Sequence, residues 1–249
     1  MRFTPCIKGY IQAMNKLLTI LLGLFLSLPM MAQLTAEQRA AGEKAATDII
    51  NRFTDGKVDI VVELSLTPTT KGCDKYEYSA SGNTVTVKAS SAVAACRGFY
   101  DWTKSKNAGI MSWTGKRFEK PADITTATKS FTSQYRDHQY FNVVTYGYTM
   151  PYWDENRWDK EIAWMALHGI DMPLMLVGSE TIYRDVFKAL YGTSNTELDA
   201  WEVGPAHLPW MRMGNLAGNS FDGPLGDHWH SKQKALAKHI LQKMIFYFL

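Results

Sequence analysis

Several residues carry side chains that could hold or transform a ligand. Asn142 interrupts an otherwise apolar run, Tyr140-Phe141-Asn142-Val143-Val144-Thr145. A buried amide needs hydrogen-bond partners, and either a ligand or a neighbouring backbone can supply them. Glu180 follows a second apolar run, Ile170 to Val177. Active sites of parallel α/β folds collect at that point, and a helix dipole also favours a first-turn carboxylate there. Trp210 stands near Arg212, Gly214 and Asn215 in an aperiodic stretch. An indole in such a place can stack on a sugar face or anchor a loop. Asp227-His228-Trp229-His230 offers a His-x-His pair with a nearby acid, which without further ligands is thin support for a metal. Asp154 and Glu155 open a helical pattern and read first as capping residues. No phosphate loop, dinucleotide fingerprint, nucleophile elbow or Cys/His zinc spacing is present, so neither a cofactor nor a metal is expected.

The elements that must position these residues fall into two regions. In residues 33–120, Thr35-Ala36-Glu37-Gln38 fits a capping box opening a helix to about Phe53. Val58, Ile60, Val62 and Leu64 alternate as a strand does. Tyr76–Tyr78 and Thr84–Val87 predict a hairpin through Ser81-Gly82-Asn83. A helix from Ser91 to about Thr103 and a short strand near Ile110–Trp113 complete a small α+β unit. Pro121 and the Thr/Ser-rich stretch 125–130 read as a linker, 121–134. From Tyr135 to Leu249 the rhythm becomes strand (140–145), helix (153–168, closed by Gly169), strand (170–177), helix (to Tyr191-Gly192). Trp158, Ile162, Met165 and Ala166 share the buried face of the first of these helices. Strands apolar on both faces, alternating with helices, indicate the βα units of a parallel sheet. A long irregular segment, 193–230, follows, and Ser231 caps a final helix from Lys232 to about Met244. Long irregular segments in compact domains are usually functional or disordered, and this one is too aromatic for disorder.

Composition excludes some functions. The 27 Lys+Arg and 24 Asp+Glu nearly cancel, which argues against a dedicated nucleic-acid binder. Arg2, Lys8 and Lys16 precede an apolar run, Leu17–Leu28, and then Pro29-Met30-Met31-Ala32. This is the pattern of a secretory signal peptide over residues 1–32, cleaved after Ala32, with Met1 or Met14 as the start. The run is shorter than the roughly 20 residues a bilayer span takes. The expected location is therefore outside the cytoplasm, periplasmic or extracellular, with no membrane segment after cleavage. Cys73 and Cys96 remain after cleavage, and they read as buried free thiols rather than a disulfide.

The second region carries a resemblance. The runs 140–145, Trp153-Asp154, 158–170 and Gly204-Pro205-Ala206-His207-Leu208-Pro209-Trp210-Met211-Arg212-Met213-Gly214-Asn215-Leu216 resemble the α-N-acetylglucosaminidases, family 89 of the glycoside hydrolases. Phe221-Asp222-Gly223-Pro224-Leu225 and Trp229-His230-Ser231-Lys232-Gln233 continue the match in order. The resemblance runs from about residue 135 to 244, and colinearly but more weakly over 35–120. It implies a small N-terminal α+β domain followed by a (β/α)₈ barrel. It also implies retaining removal of terminal α-linked N-acetylglucosamine from a glycan by two glutamates. The positions matching Asn142, Val144, Trp210, Gly214 and Asn215 line the sugar pocket, with Val144 standing where Cys is usual. Tyr100 matches a tyrosine that reaches toward the pocket from the small domain.

A (β/α)₈ barrel takes about 250 residues, and fewer than half that number run from Tyr135 to Leu249. The expected fold is thus α/β, a small α+β domain and an incomplete barrel. Both family glutamates fall on later strands, beyond Leu249, so no catalytic residue is expected in the chain. One carboxylate such as Glu180 cannot serve both roles. The sequence therefore reads as a fragment of an exported glycosidase, inactive alone. The alternatives are a non-catalytic carbohydrate-binding or interaction module, or a partner-binding role for residues 35–120. The sequence sets no oligomeric state.

Overall fold

A computed structural model describes residues 34–248; the expected signal peptide lies outside the described residues. By its contacts the chain divides into a short unit, Met1–Glu37, and a second, Gln38–Leu249, to which the following description belongs apart from the first residues of α1.

The first region builds a mixed four-stranded sheet. Helix α1 (Ala36–Thr54) precedes strand β1 (Asp59–Glu63), and the hairpin β2 (Lys75–Ser81) and β3 (Thr84–Ala89) follows. The hairpin turns at Gly82, whose φ of +60° suits glycine. Helix α2 (Ala92–Ser105) opens at Ser91, whose side chain accepts from Ala94 N–H. Strands β4 (Gly109–Ser112) and β5 (Gly115–Phe118) form a separate antiparallel hairpin, and β5 has no counterpart in the sequence reading. The sheet order is β1-β3-β2-β6, with β1 parallel to β3 and the other pairs antiparallel. Ile49, Ile50 and Phe53 of α1, Phe99 and Trp102 of α2, and Val85 and Val87 of β3 are buried together as the core. Phe53 meets Phe99, Tyr100 and Phe118 edge-on at 6.4, 5.8 and 5.6 Å. A side chain at Gly98 would strike Tyr76 and Val87 at 2.9 and 3.0 Å, so glycine lets α2 lie close on the sheet.

The expected linker is not a linker throughout. Strand β6 (Thr126–Thr132) lies inside it and closes the sheet beside β2. Its side chains are nearly all exposed, so it carries no apolar alternation to read. What holds it is the backbone ladder and Phe131, stacked on Tyr76 and Tyr78 at 5.2 and 5.8 Å.

The second region supplies two parallel strands, β7 (Gln139–Tyr140) and β8 (Met172–Pro173), joined through α3 (Thr145–Tyr148) and α4 (Glu155–His168). Both strands are far shorter than the apolar runs predict. Phe141 has φ +68°, a backbone conformation that ends extended structure for a residue with a side chain. Its ring turns against Tyr146 and Trp158 at 5.9 Å each. After β8, Pro173 offers no N–H, and Gly178 at φ +76° turns the chain into α5 (Ser179–Tyr191). Helix α4 conforms to expectation: Asp154 accepts from Arg157 N–H, Gly169 closes it in the left-handed conformation, and Trp158, Ile162, Met165 and Ala166 are buried. The segment expected to be irregular holds two more helices, α6 (Asn195–Trp201) and α7 (Leu208–Arg212), with a 3₁₀ turn at Pro205–His207. Ser194 and Glu197 form a reciprocal capping box at the start of α6. The last helix, α8 (Asp227–Phe248), begins four residues before Ser231, whose hydroxyl donates to His228 C=O instead of capping. No helix among the described residues is long and apolar enough to cross a membrane. Cys73 and Cys96 are buried and free, and burial pushes the Cys96 thiol up to about 12.

Helices α2 and α4 pack together and join the regions. Arg97 donates to His168 C=O at 3.1 Å, and the His168 ring lies between Tyr100 and Trp164, 4.8 and 4.2 Å from their centroids. Burial holds the imidazole below its ordinary pKa. The folded state therefore binds fewer protons than the unfolded one as pH falls past 6.5, and stability declines with it. This contribution is complete above pH 6.5 and is lost progressively below it. Denaturant midpoints at pH 7 and pH 5 are expected to fall further apart for the wild type than for His168→Phe, which has no proton to gain.

Candidate sugar-binding site

The short helix α3 and the turn after α7 bring most of the expected site residues together. Asn142 Oδ1 accepts from Thr145 N–H and from its hydroxyl, each at 3.0 Å, and so organises the first turn of α3. Asn142 is exposed and Val144 half-buried. The amide nitrogen of Asn142 is left free of these bonds. Tyr146, behind, is buried and donates to Leu174 C=O at 2.5 Å; burial pushes its hydroxyl up to about 12.

Trp210 packs on the other side of α3. A side chain at Gly147 would meet Ala206 C=O and Pro209 at 2.8 Å and the Trp210 ring at 3.0 Å, so only glycine admits the indole. Tyr148 meets that ring edge-on at 5.7 Å. A glycine inside Thr145-Tyr146-Gly147-Tyr148 is the sequence signal that such a close approach leaves.

Gly214 and Asn215 are placed by the way α7 ends. Gly214 has φ +72°, its N–H bonds Met211 C=O at 3.0 Å, and Asn215 N–H returns to Trp210 C=O at 2.9 Å. This is a Schellman termination, which needs a residue free to adopt the left-handed conformation. It ties the backbone of Asn215 to that of Trp210 and leaves the Asn215 side chain exposed.

Glu180 is fully buried in the first turn of α5. It binds Arg212 at 2.8 Å, accepts from Trp229 Nε1 at 3.1 Å, and receives the Ser179 hydroxyl at 3.4 Å. Arg212 is itself buried, with its Nε unpartnered, and its guanidinium lies 5.8 Å from the Tyr146 ring. Glu180 is thus linked to α3 through Arg212 and Tyr146, and its charge is already compensated.

Two further candidates have partners of their own. Tyr100 is buried in the small-domain core, where its hydroxyl exchanges hydrogen bonds with Met111 N–H and C=O at 3.1 and 3.4 Å. The His-x-His pair diverges. His228 is exposed, while buried His230 meets Glu202 at 3.2 Å and the Thr181 hydroxyl at 3.1 Å. Glu202 also pairs with Arg184 at 2.9 Å. No group of three or more metal-binding side chains occurs among the described residues.

Two family models cover most of this arrangement. The N-terminal domain of α-N-acetylglucosaminidase matches residues 44–124, and its TIM-barrel domain matches residues 138–247. The chain belongs to the α-N-acetylglucosaminidase family. Human α-N-acetylglucosaminidase is 36% identical over 178 residues, covering 70% of this chain and 23% of its own length. The family 89 glycoside hydrolase from Clostridium perfringens, solved with 2-acetamido-1,2-dideoxynojirimycin, matches with a TM-score of 0.77 and 23% identity over 86% of this chain and 24% of its own. A form of that hydrolase with two Glu→Gln substitutions, in complex with its substrate GlcNAc-α-1,4-galactose, matches with a TM-score of 0.76. The chain therefore spans about a quarter of the length of the family members it matches. Its α/β fold is the family's N-terminal domain followed by part of the barrel.

The Glu180–Arg212 pair makes a stability prediction. Glu180→Ala strands a buried guanidinium and is expected to cost about 3–5 kcal/mol. Adding Arg212→Met removes the stranded charge and is expected to recover part of that loss. Denaturant unfolding of both variants and the wild type measures each cost.

Proposed function

We propose that this chain supplies the small domain and one wall of the sugar pocket of an exported α-N-acetylglucosaminidase. That enzyme removes terminal α-linked N-acetylglucosamine from a glycan with retention of configuration. The observation that carries this reading is the convergence of Asn142, Trp210, Gly214 and Asn215 around α3 in a chain of this family. An exposed amide on one side and a half-buried indole on the other suit a sugar's hydroxyls and its C–H face. Val144, beside Asn142, belongs to the same wall. Glu180 acts as a positioning residue beneath it. Tyr100, which the resemblance sets reaching toward the pocket, also holds the small-domain hairpin through Met111.

Retaining hydrolysis uses two carboxyl groups only about 5 Å apart, aimed at one anomeric carbon. Glu180, the carboxylate beneath the wall, is spent on Arg212 and Trp229. The purified 249-residue chain is accordingly expected not to release nitrophenol from p-nitrophenyl N-acetyl-α-glucosaminide. Turnover that survives purification and disappears in Asn142→Ala would overturn the inactivity of this chain while supporting the pocket. Turnover indifferent to Asn142→Ala and Trp210→Ala would overturn the pocket itself.

The basic front and apolar run before Ala32 support export. N-terminal sequencing of the protein from its source cells is expected to begin at Gln33, and an intact Met1 or Met14 would refute cleavage.

A further inference from the structure

A groove lies between the β4–β5 hairpin and helix α4, well apart in sequence from Asn142 and Trp210. Its volume is about 790 Å³, within the range of about 300–1,000 Å³ common for small-molecule sites. Trp113, at the hairpin turn, is 66% exposed. It faces Trp164 of α4 with ring centroids 6.2 Å apart and planes inclined by 57°. A large indole left open to solvent above a second indole offers apolar area that the fold has not used.

The charges around it are unequal. Arg52, Lys116, Arg157 and Lys160 line the groove against Asp159 and Glu161. Both carboxylates are committed. Glu161, fully buried, binds Arg157 at 2.8 Å and the Tyr140 hydroxyl at 3.1 Å; Asp159 binds His239 at 2.9 Å and Lys243 at 3.8 Å. Lys116 is held by Asp55 at 2.5 Å. Arg52 and Lys160, both exposed, have no carboxylate within ion-pair distance among the described residues. The groove thus combines an aromatic cleft with two uncompensated cations.

We propose that this groove is a second saccharide subsite, which takes a sugar unit bearing a carboxylate or sulfate group. The C–H face of a pyranose ring lies against Trp113, and the acidic substituent meets Arg52 or Lys160 in a charge-assisted hydrogen bond. A neutral sugar keeps the stacking and loses that bond. The subsite stands independently of the pocket at Asn142, because it shares no residue with it.

The test follows tryptophan indole N–H resonances of the whole 249-residue chain during titration with methyl β-glucuronide, glucose 6-sulfate and, as the neutral control, methyl β-glucoside. At least one acidic sugar is expected to shift the Trp113 resonance saturably, and to bind about tenfold tighter than the neutral one. The carboxylate and sulfate probes show which substituent is preferred. Arg52→Gln combined with Lys160→Gln, at exposed positions that leave the core intact, is expected to reduce acidic sugars to the neutral affinity. Trp113→Ala should abolish the response of the Trp164 resonance, and Asn142→Ala should change nothing. Absence of saturable binding, equal affinity for acidic and neutral sugars, or a response that persists in Trp113→Ala would each overturn the subsite. Loss on Asn142→Ala would assign the binding to the other pocket.

Discussion

A buried carboxylate must be neutralised where it stands, and Glu180 shows how much structure that requirement can organise. Its two oxygens are reached by Arg212 from the end of α7 and by the Trp229 indole from the first turn of α8. One turn further along α5, Arg184 repeats the device with Glu202 and Asp199, and Glu202 holds His230. Removing water from such groups is costly unless every partner is in place. Three segments distant in sequence are thereby held to one helix. The segment between α5 and α8 has an apolar core of its own, formed by Val203, Leu208, Met211 and Leu225, with Trp201, Leu216 and Trp229 packed against it. Charge pairing supplies much of the positional information there, and Trp210 inherits its place from it.

The family assignment bears on what this quarter of the family's length contributes. The small domain is tied to α4 through Arg97, Tyr100 and His168. Helix α4 in turn backs β7, whose Tyr140 rests on Trp164 and Glu161. The segment that begins at Asn142, two residues past Tyr140, is therefore braced by the small domain through this joint.

Much of the fold could be read from the sequence because it is encoded locally. The apolar face of α4, its Asp154 cap and its Gly169 stop all lie within sixteen residues of one another, and all three are realised. The β2–β3 hairpin is specified by alternation and by the turn at Gly82. The misread parts have non-local causes. Strand β6 is exposed and owes its conformation to the ladder with β2, some fifty residues earlier. The apolar run at 140–145 looks like a strand, but Phe141 is drawn out of extended geometry by the rings of Tyr146 and Trp158. In the site, Asn142, Trp210, Gly214 and Asn215 stood out through residue type and resemblance. The need for glycine at 147 is not legible locally, because its reason, the Trp210 ring, lies more than sixty residues away. The pairing of Glu180 with Arg212 joins residues thirty-two apart, and no local pattern marks it.

The Schellman turn at Gly214 has a consequence for the order of assembly. The contacts that fix Asn215 to Trp210, like those that fix Asn142 to Thr145, close loops of only a few residues. Such loops form in well under a microsecond, whereas a pairing across thirty-two residues, as between Glu180 and Arg212, carries a larger closure entropy. The two corners can thus acquire their local shape while the chain between them is still unfolded. Docking the Trp210–Asn215 corner onto α5 is a later event, which buries the Glu180–Arg212 pair.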